Sequence, residues 1–372
     1  MPEGVFGHLT GPGNELGSAL VPDPRIAAVG FTGSLSGGLA LMRLAQARRV
    51  PIPVHAEMSS INPVLLMPYA LAARGAELGM AFINSLTMGA GQFCTNPGLL
   101  LGIEGQGLDA FAEAARSALE QTAGVPMLTD GIRATYEQGV EALAGHNRVE
   151  TIARGRMGEG VSCGRAALFA TSADAFLADE MLGHEVFGAS LLLVRCRDEG
   201  DLVRVLDAAK GQLTATIHLD EGDVDLARQL MPILEMKAGR ILANGGPTGV
   251  EVTHAMVRGG PFPATSDGRT TSVGSLAINR FLRPVSYQNL PSTLLPPELR
   301  DNEVSRFPPC WTANRGRGRL VGAGHPHATM NSAQVPGLTY GTVAKSSLSC
   351  RRGSASTRVT ASKIMVRRSG NV

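Results

Sequence analysis

Gly89-Ala90-Gly91-Gln92-Phe93-Cys94-Thr95-Asn96-Pro97-Gly98 is the stretch on which the reading of this chain turns. Its glycines permit close backbone approach and positive φ, while Pro97 fixes φ and removes a donor. Such a composition suits neither a strand nor a helix interior. It suits a rigid loop that presents the sulfur of Cys94 beside backbone N–H groups, an arrangement able to stabilise an oxyanion on a bound carbonyl. A free cysteine also serves as a small buried hydrophobe, and the loop alone leaves both readings open.

Working outward, Ile26 to Phe31 is a short apolar run that ends at Thr32-Gly33-Ser34, and Ser36-Gly37-Gly38 leads into a run from Leu39 to Arg49. Strand, Gly/Ser turn and helix is the reading, the geometry that sets a helix N-terminus against a phosphate. The glycines do not make GxGxxG, so an ordinary turn fits them as well. Val54 to Ser60 reads as a strand carrying one carboxylate, Glu57, placed 37 residues before Cys94. It is either a solvated acid or a general base that prepares water for thioester hydrolysis. Gly183-His184-Glu185-Val186-Phe187-Gly188 follows a turn and short helix over Ala175 to Leu182. His184 has no His or Asp partner at ligand spacing and reads as a surface or capping residue.

Gly91-Gln92-Phe93-Cys94-Thr95 resembles the active-site cysteine segment of the aldehyde dehydrogenase superfamily, and three other stretches match that family in the same order. Phe31-Thr32-Gly33-Ser34 is similar to the turn that lies against the dinucleotide pyrophosphate, with Ser34 and Gly37 at the contact and helix-packing positions. Glu57-Met58-Ser59-Ser60, followed by Asn62-Pro63, is a looser version of the family's Glu-Leu-Gly-Gly segment. Glu185-Val186-Phe187-Gly188 resembles the cofactor clamp, in which the carboxylate accepts from the nicotinamide ribose and the Phe packs beside the ring. The family continues there with Pro, where this chain has Ala189. Gly239 to Gly249 resembles the segment that walls the aldehyde tunnel.

Arg258-Gly259-Gly260-Pro261-Phe262-Pro263-Ala264-Thr265-Ser266-Asp267, continuing to Pro291, looks like one branch of the family. That branch comprises the α-ketoglutaric semialdehyde (2,5-dioxovalerate) dehydrogenases and the NADP-preferring fatty aldehyde dehydrogenases. The arginines of this stretch are candidates to pair with a substrate carboxylate, although packing or surface ion pairs describe most arginines. Val285 to Asn289 is expected to be a strand used in subunit pairing.

The resemblance implies an α/β chain: an aldehyde dehydrogenase-like fold with a partial Rossmann-type cofactor domain and an α/β catalytic domain. The expected boundaries are 1–62 for what remains of the dinucleotide-binding domain and 63–262 for the catalytic domain. Residues 263–300 then return to the cofactor domain, and 301–372 form a tail. It implies oxidation of an aldehyde with NADP or NAD through a Cys94 thiohemiacetal and thioester, with Glu57 as base. Phe31, Thr32, Gly33, Ser34, Gly37, Glu185 and Phe187 would hold the cofactor, no metal would take part, and the enzyme would be a homo-oligomer, dimer or tetramer. The resemblance spans roughly residues 8–300. The family's preceding segment, with an Asn that completes the oxyanion hole and a Lys-bearing strand for the adenosine ribose, is not located. The expectation is therefore an N-terminally truncated relative, with an inactive or esterase-only remnant as the alternative.

Composition sets outer bounds. At 372 residues the chain has room for two domains, and 44% apolar against 18% charged residues describes a globular protein rather than a disordered one. Five cysteines without CxxC pairing argue against a disulfide framework or a zinc site and suit a reducing cytoplasm. No apolar run reaches the roughly 18 residues of a membrane span, and the first residues lack the basic and apolar regions of a signal peptide. The net charge of +2 hides a break: residues 301–372 hold 11 Lys and Arg against 2 Asp and Glu, leaving 23 basic and 30 acidic residues before them. Arg315 to Arg319 and Arg351-Arg352 carry charge for phosphate contact, but interleaved aromatics are lacking. A disordered extension without a nucleic-acid role is the expectation for this tail.

Overall fold

The computed structural model describes residues 5–11, 13–249 and 256–296, together with two short strands in the tail. Of the 301–372 tail, expected to be disordered, 347–349 and 358–360 are described, as strands, and the arginine clusters at 315–319 and 351–352 lie outside the described residues. Two units divide the chain after Phe281.

In the first unit, α1 (Glu15–Leu20) precedes β1 (Val29–Thr32), α2 (Leu35–Gln46) and β2 (Val54–Glu57). β1 and β2 pair in parallel, Val29 opposite Val54 and Thr32 opposite Glu57. A small core of Val21, Ala45 and Ile52, with Val29, Leu41 and Val54 against it, holds this βαβ element together. The strand, turn and helix expected from the sequence are all present. The strand is shorter than the apolar run, because residues 26–28 find no strand partner.

Beyond it stands a seven-stranded sheet made of β3 (Val64–Leu66), β4 (Leu99–Ile103), β6 (Glu150–Arg154), β8 (Ala167–Ser172), β9 (Ser190–Cys196), β10 (Gln212–His218) and β11 (Ala238–Ala243). The spatial order is β11-β10-β3-β4-β9-β8-β6. All neighbours are parallel except β6, which runs antiparallel to β8 at the edge. The helices are α3 (Pro68–Thr87), α4 (Gln106–Gln121), α5 (Asp130–Ala144), α6 (Ala173–Ala178), α7 (Glu199–Ala208) and α8 (Val224–Lys237). The two-residue strands β5 (Val125–Pro126) and β7 (Cys163–Gly164) form a separate antiparallel pair.

The near-continuous apolar runs of β4 and β9 follow from burial on both faces. Leu99, Leu101, Leu192 and Val194 feed a core that includes Tyr136, Val140, Val205, Leu230 and Leu234 from α5, α7 and α8. Leu100, Leu191 and Leu193 point the other way, into a core with Phe82, Ile83, Leu108, Phe111 and Leu119 from α3 and α4. Alternate residues of one strand therefore serve two cores, as a period of two requires. Helices α3 and α4 cross at backbone contact. A Cβ on Gly75 would lie 2.5 Å from the Gly107 carbonyl oxygen, and one on Gly79 would lie 2.4 Å from that of Phe111.

After β11 the chain comes back to the small sheet. Met58 N–H donates to Ala264 O at 2.8 Å, Ser266 N–H to Ala56 O at 2.9 Å, and Ser266 Oγ to Val54 O at 2.7 Å. Residues 264–266 thus cover the side of β2 that β1 leaves open. In the second unit, a short 3-10 turn spans Ser292–Leu294, and β12 (Ser347–Ser349) pairs antiparallel with β13 (Arg358–Thr360). Val285 to Asn289 is not a strand here. An extended segment becomes a strand only when a neighbour takes its N–H and C=O groups, and within its unit this segment has none among the described residues. No helix among the described residues is long and apolar enough to cross a membrane.

Candidate active site

Cys94 sits in the connection between α3 and β4, and three consecutive left-handed residues bend the chain toward it: Gly89 (φ 56°), Ala90 (φ 58°) and Gly91 (φ 69°). Gly91 is fixed by space as well, since a Cβ there would lie 2.3 Å from the Ala189 nitrogen. The far side of the loop is fastened by Asn62, which is buried and itself left-handed (φ 46°). Its Nδ2 donates to Cys94 O and to Asn96 O, each at 2.9 Å, while its Oδ1 accepts from Thr214 Oγ1 at 3.0 Å. Gln212 Oε1 in turn accepts from the N–H groups of Ile61 (2.8 Å) and Asn62 (3.0 Å). Asn96 Nδ2 reaches Gly188 O at 3.1 Å. The sulfur-bearing loop is therefore tied to the exit of β2, to β10 and to the segment before β9.

Glu57 closes β2 and is only 3% exposed. Its Oε2 accepts from Ser272 Oγ at 2.5 Å, and its Oε1 lies 3.3 Å from Arg258 Nη2. The same Arg258 Nη2 donates to Cys94 Sγ. One guanidinium nitrogen therefore stands between the thiol and the carboxyl group that the sequence singles out. Sequence reasoning placed Arg258 in a matching stretch but gave it no place at the sulfur. Its 164-residue separation from Cys94 leaves no spacing signal to find it by.

The Thr32–Ser34 turn lies at the carboxyl end of β1, next to Glu57. Gly33 N–H donates to Glu57 O at 3.1 Å, so turn and carboxylate share the end of the strand pair where ligands of parallel sheets bind. Ser34 is the N-cap of α2 and accepts from Gly37 N–H at 3.1 Å. The Phe31 ring lies over the turn: a Cβ on Gly33 would meet it at 2.5 Å and one on Gly37 at 3.1 Å. The exposed turn and the N-terminus of α2 fit an anionic group.

Glu185 and Phe187 line a cavity together with Ser60, Phe93, Asn96 and His184. The Glu185 carboxyl group faces the Ser59 side chain and the Ser60 N–H, and burial, outweighing those hydrogen bonds, pushes its pKa up to about 7. Phe187 is 39% exposed. The structure thus brings Cys94, Glu57 and Arg258 together, places Thr32 to Ser34 beside Glu57, and sets Glu185 and Phe187 around the cavity that the cysteine loop also lines. Of the Gly239 to Gly249 segment, Thr248 Oγ1 meets Ser85 Oγ on α3 at 3.0 Å and Asn244 Oδ1 accepts from Arg74 Nη2 at 2.8 Å. Among the described residues no cluster of His, Cys, Asp or Glu could hold a metal ion.

Comparison with known proteins agrees with this architecture. The family model described as "Aldehyde dehydrogenase family" matches residues 1–261. Alpha-ketoglutaric semialdehyde dehydrogenase 2 of Azospirillum brasilense is 54% identical over 308 residues, covering 83% of this chain and 59% of that protein. Alpha-ketoglutaric semialdehyde dehydrogenase of Acinetobacter baylyi is 47% identical over 302 residues, covering 81% and 57%. The chain thus spans less than three fifths of the curated relatives it matches. Among solved structures, a putative methylmalonate-semialdehyde dehydrogenase from Sinorhizobium meliloti in complex with NAD superposes with a TM-score of 0.61 at 18% identity, covering 73% of this chain and 55% of that one. A 1-pyrroline-5-carboxylate dehydrogenase gives 0.58 at 22% identity, covering 73% and 52%. Motifs, fold and relatives converge, and the chain belongs to the aldehyde dehydrogenase family.

Proposed function

We propose that this chain carries the catalytic part of an NAD(P)-dependent aldehyde oxidation, with α-ketoglutaric semialdehyde or a similar carboxylate-bearing aldehyde as substrate. The observation that carries the reading is the meeting of Cys94 and Glu57 at one guanidinium, beside the turn after β1. The substrate class rests on the two curated relatives, whose names give α-ketoglutaric semialdehyde.

Cys94 Sγ attacks the aldehyde carbon and forms a thiohemiacetal, its loop held by Asn62 and Gly91. A bound nicotinamide dinucleotide, NAD or NADP, would supply the two-electron acceptor by which the thiohemiacetal becomes a thioester on Cys94. Glu57 then takes a proton from water, the hydroxide adds to the thioester carbon, and the acid departs as the thiol is restored. Thr32, Gly33, Ser34 and Gly37 with the N-terminus of α2 and the ring of Phe31 would hold its pyrophosphate, and Glu185 and Phe187 would hold its nicotinamide end. The protein works in the cytoplasm as a homodimer or homotetramer, with Val285 to Asn289 pairing across subunits.

The test is NAD(P)H formation by the purified chain with α-ketoglutaric semialdehyde, beside Cys94→Ala and Glu57→Gln. Turnover is expected, abolished in Cys94→Ala. In Glu57→Gln, loss of the base lowers steady turnover by about 100-fold or more, with an initial burst of reduced cofactor retained. Turnover that persists in Cys94→Ala would sink the reading.

A further inference from the structure

Arg258 has a role that the oxidation chemistry alone does not assign. Its backbone is pinned: its N–H donates to Thr271 Oγ1 at 2.9 Å, and its carbonyl accepts from Ser272 N–H at 2.8 Å. Ser272 Oγ bonds Glu57 Oε2, so the segment that places the guanidinium also fixes the carboxyl group. The Arg258 side chain is 16% accessible and that of Glu57 4%. Arg258 Nε is buried without a hydrogen-bond partner, and among the described residues the polar side-chain contacts of this cation are Glu57 and Cys94.

A nucleophilic thiolate and a carboxylate confined to one cleft repel each other, and burial makes that costlier. A permanently charged guanidinium between them removes the conflict and favours the ionised sulfur. We propose that Arg258 is the positioning residue of this site: it keeps Cys94 as a thiolate beside the Glu57 carboxylate and biases the sulfur toward anionic electrophiles. This rests on the reading of Cys94 as nucleophile, and it gives a physical reason why an aldehyde bearing a carboxylate is drawn to this sulfur.

The test needs neither cofactor nor turnover. The full chain and its Arg258→Gln and Arg258→Lys variants are treated at pH 7 with iodoacetate and, separately, iodoacetamide. Alkylation of the Cys94 and Cys163 peptides is followed by mass spectrometry. Iodoacetamide, being neutral, reports ionisation of the sulfur, and the iodoacetate-to-iodoacetamide ratio reports the charge beside it. Arg258→Gln is expected to lower both at Cys94 by roughly fivefold, the effect of one unit charge at contact distance in a water-like medium. Arg258→Lys is expected to keep most of both, and Cys163 to be unaffected throughout. A Cys94 ratio unchanged in Arg258→Gln overturns the proposal, and so does a change that Cys163 shares. The outcome is separable from the function itself: persistent turnover in Cys94→Ala removes the oxidation reading, whereas an unchanged alkylation ratio removes only the role of Arg258.

Discussion

Glu185 shows how a single half-buried carboxyl group sets a pH window. Burial raises its pKa from 4.5 to about 7, so the folded protein holds its proton more tightly than the unfolded chain. The stability this gives is complete below pH 4.5 and is lost as pH rises through about 7. Glu185→Gln is therefore expected to raise the melting temperature at pH 8 and to change it little at pH 4. That shift sets an upper bound of roughly 3 kcal/mol on the gain at pH 8, measured by thermal or urea denaturation at the two pH values. The sequence made Glu185, Glu57 and Cys94 legible because each lies in a short matching segment. It did not show which way the Glu185 carboxyl turns, because Ser59 and Ser60 reach it through the fold and not through spacing. Arg258 was hidden for the same reason, as was Asn62, whose side chain spans the cysteine loop and β10.

At the scale of elements, the strand, turn and helix between Ile26 and Arg49 were readable, and their ends moved by a few residues. β3, β4 and β6 left no clear trace. β3 has three residues, and β4 is an apolar run that periodicity cannot assign to strand or helix. β6, Glu150–Arg154, lies at the sheet edge with mostly polar residues. The cysteine loop was legible as a loop, but its tightness was not. Ala90 tolerates φ 58°, so left-handed backbone alone does not demand glycine at Gly91. The contact at Ala189 does, because backbone atoms have nowhere to move. Gly91→Ala is expected to destabilise the fold by roughly 2–5 kcal/mol through that clash, read as a lower urea midpoint at unchanged slope. A midpoint within experimental error of the parent would show that the loop yields more easily than the packing implies.

For the molecule as a whole, the small sheet is the less protected part. Among the described residues β1 pairs only with β2, and the N–H groups of Val29 and Gly33 point toward it. In a parallel strand the alternate donors, on Gly30 and Thr32, face the other way and form an open edge. Self-association through that edge is expected to rise with concentration. Thr32→Pro removes a donor that β2 does not use, and is expected to slow the onset of light scattering severalfold; no change would place the association elsewhere. The larger sheet is covered by helices on both faces, and its own edges are β11 and β6. The two sheets are nonetheless not independent. Asn62 and Gln212 clasp the exit of β2, the cysteine loop and β10 in one buried knot. Heat that loosens either sheet is expected to untie it too, so that the sulfur loses its place in the same transition that melts the scaffold.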